Sequence, residues 1–391
     1  MSTSYWLDRS FRIEKKSFDA VVVGAGISGL SAAYWLKKED PSLSIAVVEK
    51  GRIGIGASGR NAGFITCGSV EHFNRMISKH GKEEATAIWK FSENNLKLLE
   101  EHIIQSDGDS ILFEKKGCYS LAAQDSEFKE LKNVAEIMAG LKIPTQVYTQ
   151  AEIEKNVGAT GFVGGIKYLD DATVHPVRLL EKMVSKMPGV TIIEGTDVQG
   201  YSEGDGGTRV LKTDGGDIET SMIIYALNGY SASLHPYFAD KIFPTRGQIL
   251  MMEKIERFMD GPSYANFYLD YFRQLPTGEL LIGGFRQLEK ATEVGYSDHT
   301  TDVIQNALHH FIQTHLPVLK GKQISHRWGG VMGFSKDGQP LVGALPDDNQ
   351  VYFLGGYTGH GIGLAFNTGK SLVDMIFGRE VPKWLSARRF G

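Results

Sequence analysis

The stretch AVVVGAGISGLSAAYWLKKEDPSLSIAVVEK, residues 20–50, constrains this chain more than any other. AVVV is a short apolar run of the kind that forms a buried parallel strand. GAGISG places Gly24, Gly26 and Gly29 in G-x-G-x-x-G spacing. ISGLSAAYWLKKE has helical spacing, with Ile27, Leu30, Ala33, Tyr34 and Leu36 on one broad apolar face, and Asp40-Pro41 ends it. LSIAVVEK, residues 43–50, reads as a second strand closed by Glu49. Strand, helix and strand in this order imply a right-handed crossover and a parallel sheet.

The glycine spacing alone is a weak signal, but here it follows a strand and opens a helix. Glu49 lies 20 residues beyond Gly29, at the end of the next strand. That context makes the pattern a dinucleotide fingerprint. Gly24 permits the tight turn, Gly26 lets the backbone approach a pyrophosphate, and Gly29 allows close helix–strand packing. Ile27 and Ser28 open the helix, whose N–H groups and positive dipole end face the phosphates. Glu49, with Lys50 beside it, is placed to accept hydrogen bonds from a ribose diol. Its charge repels a 2′-phosphate, which favours FAD or NAD over NADP.

A chain of 391 residues is long enough for more than one domain. Its 46 glycines cluster without a G-X-Y period, which points to tight loops against a ligand. A formal net charge of -4 argues against a nucleic-acid surface. Cys67 and Cys118 make neither a zinc spacing nor a disulfide scaffold, so a reducing compartment is expected. No apolar stretch approaches the length of a transmembrane segment, and the N-terminus lacks the apolar core of a signal peptide. The expected location is cytoplasmic, and the oligomeric state is left open.

Residues 71–106 read as mostly helical, 114–123 as a strand, and 126–158 as helical around a KIPTQVY edge. Residues 173–187 form a helix with Pro176 in its first turn, where proline is tolerated. Residues 189–230 carry short strands with Gly/Asp hairpin turns, and 244–288 alternate as an antiparallel sheet does. Residues 299–316 are helical, and 350–378 return to strand, glycine turn and helix. The expected class is α/β with two domains. A nucleotide-binding domain is assembled from 18–110, 160–235 and 325–391, and a mainly antiparallel β-sheet substrate or cap domain from 111–159 and 236–324.

GIGASGRNAGF, residues 54–64, directly follows the ribose-binding carboxylate. Its glycines with Ser58, Arg60 and Asn61 bring backbone N–H groups and a cation towards something extended. FAD reaches further from its adenine end than the first βαβ unit covers, so this loop selects FAD over NAD.

Four stretches, VVVGAGISGLSAAYWL, GRIGIGASGRNAGFI, WGGVMGFSKDGQPLVG and VYFLGGYTGHGIGLA, carry a resemblance that covers nearly the whole chain. The sequence resembles the FAD-dependent amine and amino-acid oxidoreductases, a family that includes glycine oxidase, D-amino-acid oxidase and dehydrogenase, and sarcosine oxidase. SYW at residues 4–6 and the SGRNAGF loop resemble more specifically its gamma-glutamylputrescine oxidase branch. The resemblance implies a two-domain flavoprotein fold with a Rossmann-like FAD-binding domain. It also implies roles for single residues. Ser58, Gly59, Arg60, Asn61, Ala62 and Gly63 match the loop that reaches the pyrophosphate and passes the isoalloxazine. Val198 matches a backbone contact to adenine, and Gly229 the end of a strand passing the cofactor. Gly356, Thr358, Gly359, His360, Gly361 and Ile362 match the loop and helix start facing the flavin pyrimidine. Relatives that attach FAD through cysteine do so where this chain has Gly330, so FAD is expected to be non-covalent. ALNGY at residues 226–230 departs from the shorter family pattern at Asn228.

The implied reaction removes a hydride equivalent from the carbon bearing an amine, and the imine hydrolyses to a carbonyl product. The partners implied are a small-molecule amine or amino acid and O2, with a quinone or other electron carrier as the alternative acceptor. A flavin-bound interaction subunit with little catalysis is the reading from a different class. No metal cluster and no Ser/His/Asp set competes with these. Residues 266–284 match the family segment that roofs the flavin. Within it Tyr268, Tyr271 and Arg273 are the substrate-contact candidates. Arg273 is either a bidentate carboxylate clamp or an ion pair on the sheet face. Tyr268 is either a pocket residue or an aromatic cross-strand partner. Trp328 is either a pocket wall or core. His360 is the histidine expected to contact flavin. Tyr5 and Trp6 are either an aromatic anchor at the substrate entrance or a packing plug. Cys67 is a small buried apolar residue.

Overall fold

In a computed structural model of the chain, which describes residues 17–266 and 270–390, the apolar run after Ser17 is the strand Ser17–Val23. Its neighbours in the sheet are Ile218–Tyr225 on one side and Ile45–Val48 on the other, both parallel to it. Val351–Gly355 and Val190–Ile193 extend the parallel set at its two ends. Val22 and Val47 enter one core and Val21 and Val48 another, on opposite faces of the sheet. A sheet covered on both faces needs apolar residues at every position, which is why these strands read as runs rather than alternations.

The helix Ile27–Glu39 departs from the one-sided face expected of it. Ser28, Gly29, Ser31, Ala32 and Trp35 are buried along with Ile27, Leu30 and Leu36, and Tyr34 is half-buried. The reason is a second helix, Gly361–Ile376, lying against it. A Cβ on Gly369 would overlap Ser31 at 2.6 Å, and Trp35 Nε1 donates to the Phe366 carbonyl at 2.9 Å. Small residues let the two helices approach this closely. Both helices therefore start at the carboxyl edge of the parallel strands, where open α/β sheets bind ligands.

The second sheet runs in the order Ile324–Ser335, Ile242–Met252, Leu280–Gly283, Asp270–Gln274, Ser263–Ala265, Cys118–Ala122, Gly164–Tyr168, Thr145–Thr149. It is antiparallel except where Ser263–Ala265 meets Cys118–Ala122 in parallel. Two of its strands, Gly164–Tyr168 and Ile324–Ser335, come from segments expected in the nucleotide-binding part. They join this sheet because their free backbone edges pair along Cys118–Ala122 and Ile242–Met252.

Alternation sorts this sheet into two faces. Tyr119, Leu121, Leu250, Met252, Phe272, Leu280 and Ile282 share a core with the helix Asp302–His315. Ile249, Met251, Tyr271, Leu281 and Trp328 point the other way, onto Ala62 and Phe64 of the glycine loop. Among the described residues no helix is long and apolar enough to cross a membrane.

Candidate functional site

Gly24 has φ +105°, and a Cβ there would lie 2.9 Å from the Ala226 carbonyl oxygen. A Cβ on Gly29 would overlap the Gly24 carbonyl. The turn is thus closed to any larger residue at both positions. Glu49 faces it. Its carboxylate accepts from Ala25 N–H and from Gly51 N–H, each at 2.9 Å. Glu49 N–H donates to the Ile193 carbonyl and its own carbonyl accepts from Thr196 N–H, which brings the 194–198 segment with Val198 alongside. Lys50 turns outward, its side chain 76% exposed and paired with Asp197 at 2.8 Å.

Ser58 joins the two glycine motifs. Its hydroxyl oxygen accepts from Ile27 N–H at 2.9 Å, at the start of the fingerprint helix. A Cβ on Gly26 would sit 2.9 Å from the same oxygen. No side chain from the helix's own N-cap, Gly26, caps it. The short helix Ala57–Arg60 carries Ser58 to this place, with Gly59 packed on the Gly54 carbonyl.

Arg60 and Asn61 shape the loop. Arg60 donates to the Ile55 and Gly329 carbonyls, each at 2.9 Å, and pairs with Asp298 at 2.7 Å. Its own carbonyl accepts from Trp328 Nε1 at 2.8 Å. Arg60 therefore bolts the loop to the second sheet. Asn61 donates to the Ala57 and Ser58 carbonyls and accepts from Gly63 N–H at 2.7 Å.

Gly63 has φ +74°, and a Cβ there would overlap the Val174 carbonyl. Arg273 reaches the same point from the second sheet. It is 2% exposed and donates to the Val174 carbonyl at 2.9 Å and the Gly63 carbonyl at 3.3 Å. Its Nε is buried without a partner. Burial pushes the guanidinium down to about 9 from its usual 12.5, with Glu114 countering and Arg257 adding to the effect. The ion pair on the sheet face, one of the two readings of Arg273, is not what the structure shows. Two of its N–H groups are given to carbonyls, and its Nε–H is buried without a partner.

On the opposite side, Asn228 adopts φ +47° and accepts from Gly356 N–H at 3.0 Å. This answers why ALNGY departs from the shorter pattern: the amide ties the ends of two parallel strands together. A Cβ on Gly229 would lie 2.7 Å from the Met332 carbonyl. Thr358, at φ +50°, donates its N–H to the Gly333 carbonyl at 2.9 Å. Gly361 and Ile362 open the helix Gly361–Ile376, which no side chain caps. Asn95 and Ser92 hold its first turn through the Ile362 and Gly363 carbonyls. His360 stacks on His72 with ring centroids 4.7 Å apart and planes at 24°. Burial, then Arg75, hold His360 down to about 4.

Tyr271 packs edge-on to Phe64 at 5.7 Å. Tyr268, Tyr5 and Trp6 lie outside the described residues. The roof also contains Tyr264, whose ring lies 5.5 Å from Phe64. Sequence reading missed it. The signal was there in the alternation, because Tyr264 pairs in register with Tyr271 across Ser263–Ala265 and Asp270–Gln274.

Two helix starts that their own N-cap residues leave without a side-chain cap, glycines that a Cβ would fill, and a carboxylate at the end of the second strand define a dinucleotide-binding flavoprotein. The residues present fit FAD: the turn Gly24, Gly26, Ile27 with Ser58 would hold the pyrophosphate, Glu49 would face the ribose, and the 58–63 loop with the 361 helix start would lie further along. The chain belongs to the FAD dependent oxidoreductase family (DAO), which it matches over residues 19–375. It is similar to a glycine oxidase of Bacillus subtilis, with 27% identity covering 96% of this chain and 97% of the relative. It is also similar to a gamma-glutamylputrescine oxidoreductase of Escherichia coli, with 24% identity covering 93% and 85%. Among solved structures, a glycine oxidase from Geobacillus kaustophilus shares the fold with TM-score 0.79, at 21% identity over 94% of this chain and 96% of that one.

Proposed function

We propose that this FAD-dependent oxidoreductase oxidises the C–N bond of an amine or amino acid to an imine, with O2 as acceptor. The observation that carries it is the aromatic face of the second sheet that packs over Ala62 and Phe64. Tyr264, Tyr271 and Trp328 supply aromatic walls. Arg273 supplies one buried cation with an unused N–H. A largely aromatic face with a single buried cation suits a small substrate carrying a carboxylate or other anionic group. The named activities of the two relatives by sequence are of the same kind.

FAD supplies the two-electron acceptor when bound. The chain's own residues do the rest. The 58–63 loop and the roof exclude water and hold the substrate carbon against the cofactor side of the cleft. The uncapped N–H groups at Gly361 and Ile362 place the positive end of a helix where negative charge develops. His360 stays neutral beside them, so it contributes shape and a hydrogen bond rather than charge. Non-covalent attachment is supported by Gly330, which has no thiol and is covered by the Arg60 side chain, 3.0 Å from where a Cβ would be. A cytoplasmic location goes with this reading.

Purified holoenzyme screened anaerobically against amines and D- and L-amino acids tests the reading. Bleaching of flavin absorbance by an amino acid is the expected result, and no bleaching by any of them overturns it. Mixing the reduced protein with O2 then tests the acceptor. Reoxidation too slow for turnover assigns the electrons to a quinone or carrier instead.

A further inference from the structure

The chain from Glu293 to Thr301 is a strap, anchored at both ends on buried groups and exposed in its middle. Glu293 is buried and takes Arg246 in two bonds, from Nη2 to Oε1 at 2.6 Å and from Nε to Oε2 at 2.9 Å. Gln248 Nε2 adds a third at 2.9 Å. At the other end the buried Gln248 side chain holds Thr301, accepting from its N–H and donating to its Oγ1, each at 2.9 Å. Gly295 N–H still donates to the Pro244 carbonyl at 3.0 Å. Beyond it Tyr296, Ser297 and Asp298 are exposed, and among the described residues no backbone hydrogen bond reaches them.

Side chains hold that middle, and both of their partners belong to the nucleotide-binding part. Asp298 pairs with Arg60 at 2.7 Å, the carboxylate 57% and the guanidinium 31% exposed. Tyr296 stacks on Tyr230, with ring centroids 5.5 Å apart and planes at 24°. The two contacts adjoin. Burial pushes the Tyr230 phenol up, Arg60 opposes this, and Asp298 and Tyr296 add to it, so these side chains form one cluster. Arg60 lies on the connection that leaves Ile45–Val48, and Tyr230 on the one that leaves Ile218–Tyr225. Those two strands flank Ser17–Val23, which runs into the Gly24 turn. The cluster therefore joins the connections on either side of that turn, at the edge where a parallel sheet binds its nucleotide.

We propose that residues 296–298 are a latch over the FAD site, and that FAD enters and leaves through a form in which Asp298–Arg60 and Tyr296–Tyr230 are parted. The buried anchors at Glu293 and Thr301 stay in place and the exposed middle lifts between them. An exposed ion pair and an exposed ring pair each favour the closed form by on the order of threefold, so opening is frequent. Both contacts join protein side chains to each other, so they hold the strap with or without FAD. Loosening them raises association and release together and leaves affinity unchanged. A group that touched FAD would act mainly on release, as most changes in affinity do. This reading needs the cofactor alone and is independent of which substrate is oxidised.

The test follows flavin fluorescence in the full chain, as FAD is added to flavin-stripped protein and as it is released from diluted holoprotein. Wild type is compared with Asp298→Asn and Tyr296→Ala. Each variant should speed both association and release about threefold, with the dissociation constant where it was. In about 1 M salt, where screening falls to about 3 Å, wild-type rates should approach those of Asp298→Asn. Faster release with association unchanged overturns the latch and makes these residues supports of the bound form. Faster association with slower release in Asp298→Asn also overturns it, because that pattern is the loss of one negative charge near the anionic FAD. Rates equal to wild type in both variants overturn it as well. If Tyr296→Ala fails to fold, Asp298→Asn and its salt dependence decide alone.

Discussion

The hydroxyl of Ser58 accepts a hydrogen bond from the backbone N–H of Ile27 across 2.9 Å. This one contact makes the glycine loop and the dinucleotide fingerprint a single site. Replacing Ser58 with Ala removes a helix-capping oxygen, a loss of about 1 kcal/mol. Melting of the apoprotein should show that loss, and FAD affinity measured by flavin fluorescence should weaken about tenfold, equivalent to about 1.4 kcal/mol. Unchanged affinity would take Ser58 out of the pyrophosphate site.

Glu49 holds two backbone amides, besides the ribose role proposed for it. Glu49→Gln keeps the shape and removes the charge. FAD retention through gel filtration should drop. An unchanged FAD content would count against the ribose assignment.

Gly29 has no room for a methyl group, since the Gly24 carbonyl already fills it. Gly29→Ala should cost about 1–3 kcal/mol through overpacking and lower the flavin-to-protein absorbance ratio of purified protein. Gly56, with nothing within 4 Å of its Cβ position, should tolerate alanine in the same assay.

Arg273→Ala separates two roles. The variant leaves the Val174 carbonyl without its Arg273 donor, at a cost of about 1–3 kcal/mol read as a lower melting temperature. If the free Nε also meets substrate, KM should rise for substrates bearing a carboxylate and stay level for amines without one. A uniform change in both would make Arg273 a strut only.

His360 is held down to about 4 and His72 well below its ordinary value, in both cases chiefly by burial. Between about 6.5 and 4 the unfolded chain binds protons that the folded one does not. The stability concerned is therefore present above about 6.5 and lost as pH falls towards 4. His72→Phe keeps a ring against His360 and removes one titration. Its melting temperature should fall less steeply with acid than the wild type's. Glu71 and Arg75 lie close by, so the double variant His72→Phe with Arg75→Gln tests whether that cation contributes.

The fingerprint was legible because its parts are close in sequence. Gly24, Gly26, Gly29 and Glu49 sit within one βαβ unit, and local propensity and the fold agree there. The second loop was legible for its position, but not for what its side chains do. Arg60 was expected near the cofactor; that it also spans to Asp298 and Gly329, far along the chain, could not be read from the loop's position. Asn228 carried no reading at all until Gly356 appeared opposite it.

By itself the sequence determined the α/β class, the nucleotide turn, the acidic residue facing it and the choice of FAD. Each follows from spacing and backbone freedom within a few dozen residues. Only the tertiary structure decided which side chains converge over the loop. Thr66 and Asp171 are 105 residues apart, and Gly63 and Arg273 are 210 apart. Contacts at such separations are set by how two sheets pack across the glycine loop, and no local periodicity encodes that register.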